Sequence, residues 1–147
     1  MFGSSTLVVP DTRPTLGVLL GRGARKGSIL IVDDNRDCLE LLCAVLKQEG
    51  FRVHAAGDGV QCLRLAKTLR PDLILLNYLM PVMDGLTALH LLKKDPVISY
   101  LKVVMFSALG NTAWLQEASA SAGALGCLNT PFDLKTLRNA VERALRA

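Results

Sequence analysis

Two adjacent carboxylates, Asp33 and Asp34, directly follow a short apolar run at residues 29–32. Acids side by side at the end of a buried strand repel each other, and a hard cation such as Mg²⁺, which takes oxygen ligands, would relieve that repulsion. The alternative is structural, because either aspartate could simply cap the helix that follows. The dipeptide alone does not decide between a cation site and a helix cap.

Three further polar residues close or follow later apolar runs: Asn77, Ser107 and Thr130. The carboxyl ends of parallel strands meet at one edge of a sheet, where open α/β sheets hold their ligands. If the apolar runs are parallel strands, these three side chains should converge with the two aspartates in one pocket.

The elements that would position this pocket begin at Ser28, from where apolar and amphipathic runs alternate. The predicted strands are 29–32, 51–55, 73–76, 101–106 and 127–129, and the predicted helices are 36–49, 60–69, 85–94, 112–122 and 133 onward. We expect Gly50 to close the first helix and Asn111 to cap the fourth. Nearly all-apolar strands are typical of a sheet covered by helices on both faces. The sequence therefore predicts a flavodoxin-like three-layer αβα sandwich around a five-stranded parallel sheet in the order 2-1-3-4-5.

The chain divides into a basic tail, residues 1–27, and one α/β domain, residues 28–147. Four basic residues against one acid place three of the four net positive charges in the tail. The tail is rich in Gly, Pro, Ser and Arg and shows no sustained hydrophobic period, so we interpret it as a flexible linker. Its short apolar stretches are interrupted and do not resemble a signal peptide.

The cysteines do not form a zinc motif. Cys38, Cys43, Cys62 and Cys127 show no CxxC spacing and no neighbouring pair of histidines. They fall in predicted helices and strands, where free cysteine behaves as a small hydrophobe. This pattern favours a reducing, cytoplasmic location.

The stretch from Pro71 to Gly85 carries the most specific pattern in the chain. It reads Pro-Asp-Leu-Ile-Leu-Leu-Asn-Tyr-Leu-Met-Pro-Val-Met-Asp-Gly, and it resembles the third strand and following loop of a response-regulator receiver domain. Phe106-Ser107-Ala108 is similar to the end of the fourth strand in that family, and Thr130-Pro131-Phe132 to the loop after the fifth. The resemblance covers residues 28–147.

The resemblance implies a role for each pocket residue. Asn77 stands where the family has its phosphorylated aspartate, and Ser107 where a hydroxyl senses the phosphoryl group. Thr130 replaces a lysine that pairs with phosphoryl oxygens, and Cys127 replaces an aromatic that moves on activation. A further implied feature is a cis bond between Thr130 and Pro131.

The substitution at Asn77 removes the chemistry of phosphoryl acceptance, because an amide oxygen is neutral and a poor nucleophile. Losing the lysine removes a cation that would offset charge on the transferring group. We therefore expect a degenerate receiver in a two-component phosphorelay, not an enzyme, acting through protein contacts without phosphorylation at this position. The alternatives are a receiver inactivated by engineering, and one phosphorylated at another residue.

We expect no required cofactor. Mg²⁺ should bind weakly if at all, through Asp33, Asp34 and the backbone carbonyl of Leu79, since Asn77 offers only a neutral oxygen. Two enzymes of similar fold are disfavoured. A flavodoxin would need a phosphate-binding loop where the two aspartates stand, and an aspartate-nucleophile phosphohydrolase would need Asp-x-Asp.

We expect a protein partner on the face formed by residues 111–146, which receivers commonly use for output, and a homodimer would use the same face. Trp114, the only tryptophan, lies within it. We favour an inward-packed Trp114 over an exposed anchor, although large aromatics serve both purposes. We expect no nucleic-acid or membrane partner, because the domain has no basic stripe and no apolar run approaches roughly 20 residues.

Overall fold

The computed structural model describes residues 26–147, in which strands and helices alternate along the chain. The strands are β1 (Ser28–Val32), β2 (Arg52–Ala56), β3 (Leu73–Asn77), β4 (Val103–Ser107) and β5 (Gly126–Asn129). The helices are α1 (Arg36–Gln48), α2 (Gly59–Leu69), α3 (Gly85–Lys94), α4 (Ala113–Ser121) and α5 (Leu134–Arg146). Each predicted element is present, with its ends within one or two residues of the predicted bounds. Within this described range, no helix is long and apolar enough to cross a bilayer.

The five strands form one parallel sheet in the order β2-β1-β3-β4-β5. This confirms the predicted flavodoxin-like topology. The register sets Asn77 opposite Phe106 and Ser107 opposite Asn129. The carboxyl ends of β3, β4 and β5 therefore meet at one edge of the sheet, beside the end of β1.

Apolar layers on both faces of the sheet hold the helices in place. Along β1, Ile29 and Ile31 face the layer formed with α1 and α5, whereas Leu30 and Val32 face the layer formed with α2 and α3. All four side chains are fully buried. Because both faces of β1 are covered, its sequence is continuously apolar rather than alternating.

Each helix begins at a side chain that accepts a hydrogen bond from a backbone N–H of its first turn. These N-cap residues are Asn35, Asp58, Asp84, Thr112 and Asp133. The alternative in which an aspartate of the acidic pair caps α1 is wrong, because Asn35 accepts from the Cys38 N–H at 3.0 Å. The predicted cap of α4 is also wrong by one residue. Thr112 occupies that place because its hydroxyl reaches the Leu115 N–H.

The end of α1 matches the prediction at Gly50. This residue has a φ of +104°, and its N–H donates to the Lys47 carbonyl at 3.0 Å. A left-handed glycine just past the last turn satisfies helix carbonyls that would otherwise lack partners. The chain then turns directly into β2.

The predicted tail, residues 1–27, lies outside the described residues except for Lys26 and Gly27. The Gly27 carbonyl accepts from the Arg52 N–H at 2.9 Å, and the Lys26 ammonium lies 5.7 Å from the centre of the Phe51 ring. Both residues therefore contact β2 and the turn before it.

Deletion of residues 1–25 is expected to change the melting temperature by no more than a few degrees, because the core is built from later residues. Deletion of residues 1–27 should lower the melting temperature further, since it also removes the contacts of Gly27 with Arg52 and of Lys26 with Phe51. Thermal unfolding followed by circular dichroism would compare the melting temperatures of the two deletion variants with that of the natural chain. A large loss on the shorter deletion would show that the tail contributes to the fold.

Candidate functional site

The structure gathers the predicted pocket residues at the carboxyl edge of the sheet. Asp33 follows β1, Asn77 ends β3, Ser107 ends β4 and Thr130 follows β5. The Asp33 and Asn77 side chains are in direct contact. Ser107 and Thr130 are joined by a backbone hydrogen bond. Asp34 also lies at this edge, where it is exposed to solvent.

Asp33 is the buried acid of the site, with 4% of its surface exposed. Its Oδ1 accepts hydrogen bonds from the Asn35 N–H at 3.0 Å and from the Asn77 side chain at 3.1 Å. Burial raises the pKa of Asp33, while hydrogen bonds from Asn35 and from the Cys38 thiol act in the opposite direction. The carboxylate is therefore held between β1, the start of α1 and the end of β3.

Asn77 places its amide nitrogen between two acceptors. Nδ2 donates to Asp33 Oδ1 at 3.1 Å and to the carbonyl of Leu79 at 2.8 Å. A carboxylate and a carbonyl can only accept, so the atom between them must be the NH₂ group of the amide. The side-chain oxygen of Asn77 is thereby turned away from both of these oxygens.

Ser107 and Thr130 are linked through the main chain. The Thr130 N–H donates to the Ser107 carbonyl at 2.9 Å, which ties the loop after β5 to the end of β4. The Ser107 hydroxyl is almost fully buried and accepts from the Leu109 N–H at 3.0 Å. The bond between Thr130 and Pro131 is cis, which confirms the prediction.

Cys127 lies on β5 and packs against the layer formed with α2 and α3. Burial raises the pKa of its thiol, with a smaller opposing contribution from a hydrogen bond to Ser119. The thiol therefore stays protonated at neutral pH and behaves as a small apolar side chain.

Trp114 is exposed, so the preferred prediction that it packs inward is wrong. Its relative exposure is 57%. The ring meets Tyr78 edge to face, with centroids 5.8 Å apart and planes inclined by 65°. Tyr78 directly follows Asn77, so Trp114 is connected to the pocket through a single side chain. The residues that face inward from α4 are Leu115 and Ser119.

A mainly apolar groove opens beside the pocket, between α1 and α5. Its volume is about 510 Å³. Its lining includes Leu41, Phe132 and Leu134, and it reaches Thr130 at the edge of the pocket. Leu41 and Leu134 are 64% and 45% exposed, so this apolar surface faces solvent.

Three neighbours of the site were missed in the sequence. Asn35 caps α1, the Cys38 thiol contacts Asp33, and Gly85 lies directly against β3. A Cβ added at Gly85 would be 2.1 Å from the carbonyl oxygen of Asn77. The preference of asparagine for N-caps could have identified Asn35. Gly85 belongs to the specific Pro71–Gly85 pattern, but its packing against β3 depends on tertiary structure. The contact of Cys38 with Asp33 has no local signal.

The donors available for a metal ion are two carboxylates, the Leu79 carbonyl and a neutral amide. Across residues 26–147, no three His, Cys, Asp or Glu side chains are grouped closely enough to hold an ion. The pocket also lacks the lysine that the resemblance would place at Thr130. The arrangement can bind hydrogen-bond donors but presents no charged nucleophile at the end of β3.

Comparison with protein families gives a match over most of the domain. The family described as "Response regulator receiver domain" matches residues 29–142.

Two curated relatives illustrate this similarity. Sporulation initiation phosphotransferase F of Bacillus subtilis is 38% identical over 118 residues, covering 80% of this chain and 92% of the relative. The DNA-binding response regulator MtrA of Mycobacterium tuberculosis is 36% identical over 118 residues. That match covers 80% of this chain but only 50% of MtrA, so the chain spans about half the length of that regulator.

A solved structure with the same architecture is the receiver domain of the sensor histidine kinase PA1611 from Pseudomonas aeruginosa, described with a magnesium ion coordinated in its active-site cleft. It is 27% identical to this chain, with a TM-score of 0.76. The superposition covers 84% of this chain and all of the other.

Proposed function

This chain belongs to the response regulator receiver family, and from that premise we propose that it is a degenerate receiver that signals through protein contacts without phosphorylation at Asn77. Receiver domains are signalling modules of two-component systems rather than enzymes. The proposal concerns how this receiver transmits a signal. It places the domain at residues 28–147, in a phosphorelay pathway of the cytoplasm, where four free cysteines would stay reduced.

The observation that carries the proposal is the amide at the end of β3. Phosphoryl acceptance needs a carboxylate oxygen with charge and an accessible lone pair. Asn77 has neither the charge nor the orientation for this role, because its NH₂ group is the part that faces Asp33 and Leu79. A phosphoryl donor entering this pocket would meet a neutral amide rather than a charged nucleophile.

The changes at Thr130 and Cys127 support the same conclusion. A threonine hydroxyl cannot neutralise developing phosphoryl charge as an ammonium group does. Cys127 is too small to move between two packed positions as an aromatic ring would. Phosphoryl acceptance at Asn77, charge compensation at Thr130 and the conformational response at Cys127 are therefore each weakened. Three changes around one pocket favour natural loss of the chemistry over a single engineered substitution.

The face formed by residues 111–146 provides apolar contact area for a protein partner. Trp114 and Leu125 are large apolar side chains on this face, and they are 57% and 48% exposed. Exposed tryptophan is among the residues that most often dominate binding energy at protein interfaces. We propose that a protein partner, or a second copy of the chain, contacts this face around Trp114.

Replacement of Trp114 by alanine is expected to abolish partner binding while leaving the fold intact, because the ring is largely exposed. The matched control is Val60→Ala, which removes apolar surface from α2 at a residue that is 61% exposed. Affinity purification from the native cell, followed by mass spectrometry, would compare both variants with the natural chain.

The same partner should be recovered with the natural chain and with the Val60 variant, and not with the Trp114 variant. Its recovery should not change when cell extracts are treated with acetyl phosphate and Mg²⁺. A partner that binds only after this treatment would contradict the proposal. Equal recovery with the Trp114 variant would show that the contact lies on another face.

A further inference from the structure

The loop after β3 is held by a side chain that bridges two elements of the pocket. The Asn77 nitrogen is 3.1 Å from Asp33 Oδ1 at the end of β1 and 2.8 Å from the Leu79 carbonyl in the loop. A primary amide has two N–H donors, so it can serve both acceptors at once. The bridge connects a buried carboxylate to the backbone of the loop that it precedes.

We propose that the Asn77 carboxamide takes the place of a divalent cation in this pocket and makes the loop after β3 independent of metal. The two oxygens that it bridges, one carboxylate and one carbonyl, are of the kind that Mg²⁺ takes as ligands. Here both receive N–H donors from a group that is covalently part of the chain. A cation would have to displace that group and would gain only a neutral oxygen from it.

The available donors therefore do not fit Mg²⁺ well. Asp33 Oδ1 already accepts two hydrogen bonds, and its carboxylate is buried. Asp34 remains as an exposed acid, but one exposed carboxylate holds a hard cation only weakly. The amide bridge gives the Asp33 carboxylate a hydrogen-bond donor without any ion.

The bridge belongs to a set of contacts that fix the loop from several sides. The Tyr78 N–H donates to the Phe106 carbonyl at 3.0 Å, and the Gly85 N–H donates to the Tyr78 carbonyl at 2.7 Å. The Tyr78 ring rests against Trp114. Each contact is made within the chain, so the loop keeps its position whether or not an ion is present.

This inference rests on the proposed function, because it describes how the same pocket is regulated, but its test uses no phosphoryl donor. A receiver could refuse phosphate and still need Mg²⁺ to order its loop. A receiver could also be independent of Mg²⁺ and still be phosphorylated elsewhere. The two proposals can therefore fail separately.

The test is a titration of the full chain with MgCl₂, with NaCl of equal ionic strength as the reference. The readouts are the melting temperature and the fluorescence of Trp114, which is the only tryptophan and contacts Tyr78. For the natural chain we expect neither readout to respond to Mg²⁺ up to the millimolar range. The variant Asn77→Asp removes the bridge and adds a charged ligand, so it should bind Mg²⁺ about tenfold more tightly or better.

The variant Asn139→Asp is the matched control, because it adds the same charge at an exposed position on α5. Its melting temperature and Trp114 fluorescence should not respond to Mg²⁺, as for the natural chain. Saturable stabilisation of the natural chain by Mg²⁺, well below millimolar concentration, would overturn the proposal. So would a response of Asn77→Asp no larger than that of Asn139→Asp.

A second measurement keeps the proposal testable if Asn77→Asp does not fold. In the natural chain, the Asn77 side-chain NH₂ signals in a ¹⁵N-labelled sample should be protected from exchange with solvent and unmoved by Mg²⁺. Rapid exchange of those protons would show that the bridge is absent in solution and would overturn the proposal.

Discussion

Incubation with acetyl phosphate and Mg²⁺ is expected to label the Asn77→Asp variant slowly and the Asn77→Asp, Thr130→Lys double variant faster. The first substitution restores a nucleophilic carboxylate at the end of β3. It also leaves three neighbouring carboxylates without a protein cation, and their repulsion disfavours the charged nucleophile. The single variant should therefore react poorly and lose some stability when Mg²⁺ is absent.

Adding the lysine should correct both defects. Its ammonium group would offset one of the three negative charges and pair with the phosphoryl oxygens in the transition state. Position 130 is well placed for a lysine, because its backbone N–H is hydrogen-bonded to the Ser107 carbonyl at the end of β4. Cys127 would still limit any conformational response, since it provides no ring to move.

Intact-protein mass spectrometry over a time course would measure the fraction carrying one phosphoryl group. The Asn139→Asp variant again serves as the control for an added carboxylate and should stay unlabelled. Equal rates for the single and double variants would show that position 130 plays no part in charge compensation. Absence of label on both would show that the pocket has lost more than these two residues.

Substitution of Gly85 by alanine is expected to lower the free energy of unfolding by about 3 kcal/mol, which corresponds to a fall of roughly 10 °C in melting temperature. The added Cβ would lie 2.1 Å from the Asn77 carbonyl oxygen and 2.9 Å from the Tyr78 Cα. Both are backbone atoms at the end of β3, so the clash cannot be relieved by turning a side chain. Either α3 or the strand end must shift.

The matched control is Gly126→Ala on β5. A Cβ at Gly126 would meet no atom within 4 Å. We therefore expect its free energy of unfolding to change by no more than about 0.5 kcal/mol. Urea unfolding of the natural chain and both variants would measure the difference. Similar losses for both would mean that α3 does not pack against Asn77 as the structure shows.

The architecture could be predicted from sequence because its signals are local and repeated. Continuous apolar runs indicate strands buried on both faces, and right-handed crossovers leave few strand orders at this length. Gly50 was predictable as a helix end for the same reason, since a left-handed residue past a helix is usually glycine. The convergence of Asp33 with Asn77 followed from the strand order.

Other features could not be predicted because they depend on three-dimensional placement. Asn111 and Thr112 are both good N-cap residues, and only the path of the chain decides which one reaches the helix. Trp114 suits a core position as well as an exposed one. The direction of the Asn77 amide depends on where the Leu79 carbonyl lies. The hydrophobic pattern of the sequence carries no information about that position.

The measurement that tests the central proposal most directly is the intact mass of the natural chain after incubation with acetyl phosphate and Mg²⁺. A receiver with an intact acceptor, run in parallel, would confirm that the donor is active. We expect the natural chain to keep its unmodified mass, because Asn77 presents an amide at the acceptor position. A substantial fraction gaining one phosphoryl group, at Asn77 or any other residue, would contradict signalling without phosphorylation.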